Sequence, residues 1–174
     1  ECMYFIFCKI FYIYINYINK SIFFMRIALY QPDIPQNTGN IFRIAACFGV
    51  HIDIIEPVGY IFNDKRFKRS SMDYLQYVNY KRHIDWDNFY KWTIENNYNL
   101  ILLTTKSNKK YYEYKFRKND VLLFGHESAG VPEKVHKCVH ERLKIPMIKG
   151  LRSINVSSAV SLVVGEALKQ LNLF

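Results

Sequence analysis

The chain has 174 residues, of which 50% are apolar and 17% aromatic, so it can bury a core and does not belong to the mostly disordered proteins. Its 24 Lys and Arg against 15 Asp and Glu give a formal net charge of +9. That charge suits a polyanionic partner such as nucleic acid, and a basic but inert surface is the alternative. Four cysteines show neither CxxC nor zinc-ligand spacing, which argues against a metal site and indicates a reduced, cytoplasmic setting.

Residues 1–24 differ in composition from everything that follows. Met3 to Ile18 is almost entirely Ile, Phe and Tyr, interrupted by Lys9, and no small-residue cleavage site follows it. Met25 to Tyr30 has the pattern of a protein start that leads into a first strand. We therefore expect residues 1–24 to be an extension of doubtful status, with a membrane anchor as the less favoured alternative. We expect residues 25–174 to form a single domain.

The remaining chain alternates between short apolar runs and helical patterns. The predicted strands and helices in chain order are a strand at 26–30, a helix at 39–48, a strand at 51–55, a helix at 64–71, a strand at 76–80, a helix at 86–95, a strand at 100–104, a strand at 121–124, a short helix from 132, a strand at 143–145 and a helix at 155–171. In the first helix, Pro32 and Pro35 exclude an earlier start, so Asn37 or Thr38 is the predicted N-cap. Gly49 is the predicted end.

Alternation of this kind predicts an α/β fold with an open, mostly parallel sheet and helices on both faces. Its ligand site is then expected at the carboxyl edge of the sheet. Three loops rich in Gly, Pro and small polar residues follow short apolar runs at 125–132, 146–150 and 151–157. Because such strand ends present backbone N–H and C=O groups, the three loops predict one shared pocket.

Several common nucleotide-binding and catalytic sites are excluded because their sequence motifs are absent. No GxGxxG follows the first strand, and GxxxxGK[ST] and GxSxG do not occur. His126 and Glu127 are adjacent, so in an extended segment they would point in opposite directions, which argues against a His–Glu pair. His136, like the other histidines, is interpreted as a structural or surface residue. Arg43 and Arg152 lie beside glycine-containing loops and are candidate phosphate ligands, although Arg43 could simply cover its helix.

Three segments also carry a resemblance to a known family. Leu29 to Arg43, LYQPDIPQNTGNIFR, resembles the first motif of the SPOUT-class RNA 2'-O-methyltransferases. Phe124 to Pro132 resembles the second motif, and Ile145 to Met147 together with Arg152 to Ser157 resembles the third. The most similar subgroup is the tRNA (cytidine/uridine-34-2'-O)-methyltransferases. The resemblance extends from about Met25 to the C-terminus.

The resemblance implies a C-terminal trefoil knot, a homodimer, a tRNA substrate and S-adenosylmethionine as the methyl donor, with no metal. The cofactor contacts that it implies are Leu103, Gly125, Ile145 and Ser153. The catalytic residues that it implies are Arg43, Glu127, Ser153 and Asn155. The expected RNA contacts are the basic helix residues Lys65, Arg66, Lys68 and Arg69, together with Arg152.

Two positions depart from the family pattern. His126 stands where the family commonly has Pro, and Gly165 stands in the last helix where it commonly has Tyr. Gly inside a helix costs about 1 kcal/mol relative to Ala, so close approach of another helix is the expected reason for Gly165. Two other functions fit the same motifs: a non-catalytic RNA-binding protein of this fold, and a 2'-O-methyltransferase that acts on ribosomal RNA.

Overall fold

The structure is a computed structural model that describes residues 25–61 and 72–173. The predicted extension at 1–24 and the predicted basic helix at 64–71 lie outside the described residues. Lys65, Arg66, Lys68 and Arg69 therefore stay predicted RNA contacts. Among the described helices, none combines the length and the apolar character that crossing a bilayer requires.

One parallel sheet of six strands forms the centre of the described chain, in the order β3-β2-β1-β5-β4-β6. The strands are β1 (Arg26–Tyr30), β2 (His51–Ile55), β3 (Tyr80–His83), β4 (Asn99–Leu103), β5 (Asp120–Phe124) and β6 (Glu141–Leu143). The predicted parallel α/β sheet is thus confirmed. The chain builds β2 and β3 on one side of β1 and the later strands on the other. Such a reversal leaves a crevice at the carboxyl ends of β1 and β5, where ligands of open α/β sheets bind.

Helices cover both faces of this sheet, as the alternating pattern predicted. They are α1 (Pro35–Phe48), α2 (Trp86–Glu95), α3 (Glu133–Cys138) and α4 (Val156–Gln170), with 3-10 turns at Met72–Tyr77 and Tyr111–Glu113. Helices α1 and α4 pack on the face that carries Ile27 and Leu122. Helices α2 and α3 pack on the face that carries Ala28 and Leu123. Neighbouring strand residues therefore contribute to opposite cores, because successive side chains in a strand alternate.

The start of α1 differs from the prediction. The helix begins at Pro35, with Ile34 as its N-cap and no side-chain cap hydrogen bond, so neither Asn37 nor Thr38 is the cap. Proline is well tolerated at the first helical position, where its missing N–H has no intrahelical partner in any case. The predicted end is confirmed, because Gly49 adopts a left-handed conformation with φ 66° and closes the helix.

Two strands are also displaced from their predicted positions. The predicted strand at 76–80 is wrong, because the 3-10 turn occupies its first two residues and β3 runs from Tyr80 to His83. Only His83 of that edge strand is buried, so its sequence carries no apolar signal. The predicted strand at 143–145 begins two residues earlier, at Glu141, where its pairing with β4 starts. The trefoil knot implied by the resemblance stays a prediction.

Candidate active site

The loops at the carboxyl edge of the sheet surround a cavity of about 540 Å³. Its walls come from the ends of β4, β5 and β6 and from the segment that leads into α4. Four residues named above, one from each of these segments, line it: Leu103, Gly125, Ile145 and Ser153. Loop ends that are far apart in sequence thus meet at one concave site, which is the usual form of a small-molecule pocket.

The loop after β5 is closed on itself by backbone hydrogen bonds. The His126 N–H donates to the Gly130 carbonyl at 3.0 Å, and the Gly130 N–H donates back to the His126 carbonyl at 2.8 Å. A Cβ at Gly125 would lie 2.8 Å from the carbonyl carbon of Gly130, and Gly130 itself has φ +69°. Both glycines are therefore required by the shape of the loop, which brings bare backbone to the cavity wall.

His126 organises the same loop from inside. Its Nδ1 accepts hydrogen bonds from the backbone N–H groups of Ser128 and Ala129, each at 3.3 Å. An accepting Nδ1 places the ring proton on Nε2, and that atom lies 3.5 Å from Oδ2 of Asp33. The histidine thus ties the loop after β5 to the loop after β1.

Glu127 also contacts the loop after β1, at Asp33. Its Oε2 accepts from the backbone N–H of Asp33 at 3.1 Å. The prediction that His126 and Glu127 point in opposite directions is therefore wrong, because it assumed an extended segment. In the tight turn that forms here, both side chains contact Asp33.

A chain of side-chain hydrogen bonds joins all three motifs. Glu127 Oε1 accepts from Nδ2 of Asn37 at 3.3 Å, and Asn37 Oδ1 accepts from Nδ2 of Asn155 at 2.9 Å. Asn155 Oδ1 in turn accepts from the Ser157 backbone N–H at 2.8 Å and so caps α4. Asn37 is a site residue that the sequence analysis missed, because it was interpreted only as a helix cap. Its carboxamide is buried and both donates and accepts, as a junction between two other polar side chains requires.

The two carboxyl groups at this junction differ in proton affinity. Burial raises the pKa of Glu127, and its side-chain contact with Asp33 raises it further. A side-chain hydrogen bond with Glu127 lowers the pKa of Asp33, against the raising effect of burial. The negative charge is therefore held more readily on Asp33, and a proton more readily on Glu127.

The other predicted site residues do not all lie at the cavity. Arg152, Ser153 and Asn155 lie on the cavity wall and are exposed to solvent. Arg43 is exposed on α1, where its guanidinium lies 5.5 Å from the ring centroid of Tyr74, and it does not line the cavity. One chain thus brings Glu127, Ser153 and Asn155 to the cavity but leaves Arg43 outside it.

His136 is a second residue that the sequence analysis missed. It lies on α3 with only 6% of its surface exposed, and it lines the cavity. Its buried Nδ1 has no hydrogen-bond partner among the described residues. Burial lowers the pKa of His136, and the nearby Lys106 lowers it further, so the neutral ring is favoured. No sequence signal identifies this residue, because only the docking of a short helix turns it inward.

Comparison with known proteins identifies the family of this chain. The SpoU rRNA Methylase family matches residues 25–165. The chain belongs to this family. Within the described part of this SpoU-family chain, no group of three or more His, Cys, Asp or Glu residues is arranged to hold a metal ion.

Relatives and solved structures of this SpoU-family chain extend over most of its length. A tRNA (cytidine(34)-2'-O)-methyltransferase of Beijerinckia indica subsp. indica is 49% identical over 144 residues, which cover 83% of this chain and 90% of the relative. A solved structure described as "Structural insights into the 2-OH methylation of C/U34 on tRNA" has a TM-score of 0.82 at 35% identity, covering 86% of this chain and 97% of the other. The AdoMet-bound rRNA methyltransferase of Sinorhizobium meliloti shares the fold with a TM-score of 0.78 at 23% identity, covering 84% of this chain and 56% of that longer one.

Proposed function

We propose that this protein is an S-adenosylmethionine-dependent methyltransferase that modifies the ribose 2'-hydroxyl of nucleotide 34 in tRNA. The observation that carries the proposal is the 49% identity to a tRNA (cytidine(34)-2'-O)-methyltransferase across 90% of that relative. The similarity to a structure concerned with methylation of C/U34 supports the same substrate. Because tRNA is the proposed substrate, the cytoplasm is the proposed place of action.

The cavity fits the proposed cofactor in size and in the character of its walls. Its volume of about 540 Å³ falls within the range of roughly 300–1,000 Å³ that is typical of small-molecule sites. The proposed contacts are the backbone and side chains of Leu103, Gly125, Ile145 and Ser153. When bound, the cofactor supplies a methyl group on a positively charged sulfur, which is electrophilic without a metal.

In the proposed mechanism, this chain contributes mainly by positioning. Alignment of two reacting groups can lower an activation barrier by about 7–11 kcal/mol. The hydrogen-bond network from Asp33 through Asn155 holds the three motif segments in one arrangement. Glu127 lines the cavity, and its two carboxyl oxygens accept from the Asp33 backbone and the Asn37 side chain, so its proposed role is to hold the cavity wall in place. Ser153 and Asn155 complete the proposed polar wall.

Arg43 has a different proposed role. A guanidinium with a pKa above about 12 is a poor base but a good ligand for phosphate and for a developing alkoxide. Because Arg43 lies outside the cavity of its own chain, we propose that it acts at the cavity of a partner protomer in a homodimer. Exposed apolar side chains on α4 and the segment before it, Leu151 at 67% and Leu162 at 47%, support such an interface. Lys65, Arg66, Lys68, Arg69 and Arg152 are the proposed RNA contacts.

The proposed function is tested by methyl transfer from labelled cofactor to a synthetic tRNA. The expected product carries label on nucleotide 34, and a matched tRNA with 2'-deoxyribose at that nucleotide stays unlabelled. Arg43→Lys is expected to bind tRNA normally and to lose most turnover, since Lys cannot reproduce the two-pronged geometry of Arg. Label on the deoxy substrate, or on ribosomal RNA in place of tRNA, would contradict the proposal.

A further inference from the structure

We propose that a basic surface along β6, built from residues other than the predicted RNA contacts at 65–69, binds the phosphate backbone of the RNA. This β6 basic surface consists of Lys106, Lys110, Arg142 and Lys144. The inference rests on the proposed function, since it assumes an RNA substrate.

Backbone pairing places three of these cations on one side of the sheet edge. Lys110 and Lys144 are partners in a parallel bridge, supported by a hydrogen bond of 2.9 Å from the Tyr111 N–H to the Lys144 carbonyl. Directly opposed residues of paired strands point to the same side. Arg142 stands two residues before Lys144 in an extended segment and therefore shares that side as well.

The nearby acidic residues do not fully neutralise the positive charge of the β6 basic surface. Glu141 pairs with Lys109 at 2.5 Å, and its other carboxylate oxygen accepts from the Arg142 backbone N–H at 3.1 Å, so its single charge is shared between two cations. Lys110 forms a pair with Glu113 at 3.2 Å, but both side chains are more than 40% exposed, so water screens that attraction. Lys106, Arg142 and Lys144 form no ion pair with any described residue.

The surface is continuous with the cavity. Lys106 lines the cavity mouth, and Arg142 is paired with Leu102 on the face that α3 covers. Besides burial, Lys106 and Arg142 lower the pKa of His136 and Glu133 of α3 raises it, so two cations and one carboxylate lie near the same point of α3. An RNA chain whose reacting nucleotide enters the cavity would thus pass over Lys106 and Arg142.

The composition of the surface favours RNA over an acidic protein. Tyr112 is 46% exposed and lies beside the cations, with Nζ of Lys110 5.7 Å from its ring centroid. Cations that follow a backbone, together with an exposed aromatic ring on which a base can stack, are the usual elements of single-stranded nucleic-acid binding. Such a surface holds the phosphates next to the reacting nucleotide.

The test compares two double variants of the full chain that remove equal charge. Arg142→Gln/Lys144→Gln changes the β6 basic surface. Lys115→Gln/Lys118→Gln is the matched control, because these exposed cations precede the amino end of β5, an interior strand that is not paired with β6. The affinity for tRNA is measured by fluorescence anisotropy over a range of salt concentrations. Calorimetric binding of S-adenosylmethionine to each variant checks that the cavity is intact.

The β6 variant is expected to reduce the slope of log affinity against log salt by about 1 to 2, since each lost phosphate contact removes roughly 0.7–0.9. The control is expected to keep the wild-type slope. An unchanged slope in the β6 variant, or an equal reduction in both variants, would overturn the inference and leave the proposed function standing. Failure of the wild-type protein to bind tRNA would refute the proposed function, and the inference with it.

Discussion

At the scale of single residues, Asp53 lies at the centre of a buried charge cluster away from the cavity. It accepts from Nε of Arg26 at 2.5 Å and faces Nε2 of His83 at 2.8 Å, and the Asp53 side chain is fully buried. Removal of one partner from a buried ion pair leaves an uncompensated charge. The cluster joins β1, β2 and β3 and so supports the half of the sheet that carries α1.

Asp53→Ala is therefore expected to lower the free energy of unfolding by about 3–5 kcal/mol in denaturant titrations. The matched control is Asp87→Ala, which removes an exposed pair with Lys134 and is expected to cost less than about 1 kcal/mol. Similar losses in the two variants would show that the buried cluster is not the stabilising unit described here.

The pKa of His136 predicts a dependence of stability on pH. Burial lowers the pKa in the folded chain below its ordinary value, so the unfolded chain binds a proton more readily. Stability is then fully present above the unfolded pKa of about 6.5 and is lost as pH falls below it. His136→Leu is expected to lose less stability than the wild type between about pH 7 and pH 5.5.

The measurement is the free energy of unfolding of both proteins at several pH values. His51, whose pKa burial also lowers, titrates in both proteins and cancels in the comparison. Parallel pH profiles would contradict a neutral, buried His136 at the cavity wall.

At the scale of elements, Gly165 shows what the packing of α4 does and does not explain. A Cβ at this position would meet nothing within 4 Å, so the expected close helix approach does not occur among the residues that the structure describes. In the proposed homodimer, a helix of the second protomer is the proposed reason for this glycine. Gly165→Ala is thus expected to weaken the dimer in sedimentation experiments. At concentrations where the chain is monomeric, it is expected to raise the free energy of unfolding by about 1 kcal/mol.

Lys169→Ala, which changes the same helix without added bulk, is the control for that experiment. A dimer of unchanged affinity in Gly165→Ala would remove α4 from the proposed interface. It would leave the glycine without a packing explanation.

The elements that the sequence predicted well are those whose local signals agree with their burial. β1 is buried at all five positions, α1 ends at a left-handed Gly49, and α4 begins and ends within one residue of the predicted bounds 155–171. The failures have physical causes. β3 is an exposed edge strand without an apolar pattern, and the start of α1 depends on a proline at a position where helices accept it.

At the scale of the whole molecule, the sequence predicted that the loop ends meet but not how they are joined. Asn37 bridges Glu127 and Asn155 across 90 and 118 residues of chain, a contact that only the tertiary fold creates. Arg43, by contrast, lies beside the first-motif loop in sequence and yet does not line the cavity. Local spacing could not distinguish these two outcomes.

The position of Arg43 predicts an active site built from two chains. Arg43→Ala, which keeps its cavity, is mixed by co-refolding with Gly125→Val, which keeps its arginine. A Cβ at residue 125 would lie 2.8 Å from the backbone of Gly130, so the second variant should lose the cavity. Each variant alone is expected to be inactive, and the mixture should recover up to about a quarter of wild-type methyl transfer. An inactive mixture of folded dimers would show that Arg43 serves its own chain.

We propose that the loop ends after β4, β5 and β6 form one binding site for S-adenosylmethionine. Calorimetric titration of the cofactor into the wild-type chain tests this most directly, with Gly125→Val as the variant and circular dichroism as the check on its fold. The expected result is saturable heat with one cofactor per chain, and none for the folded variant. A wild-type titration without heat, or an unchanged affinity in Gly125→Val, would contradict the claim.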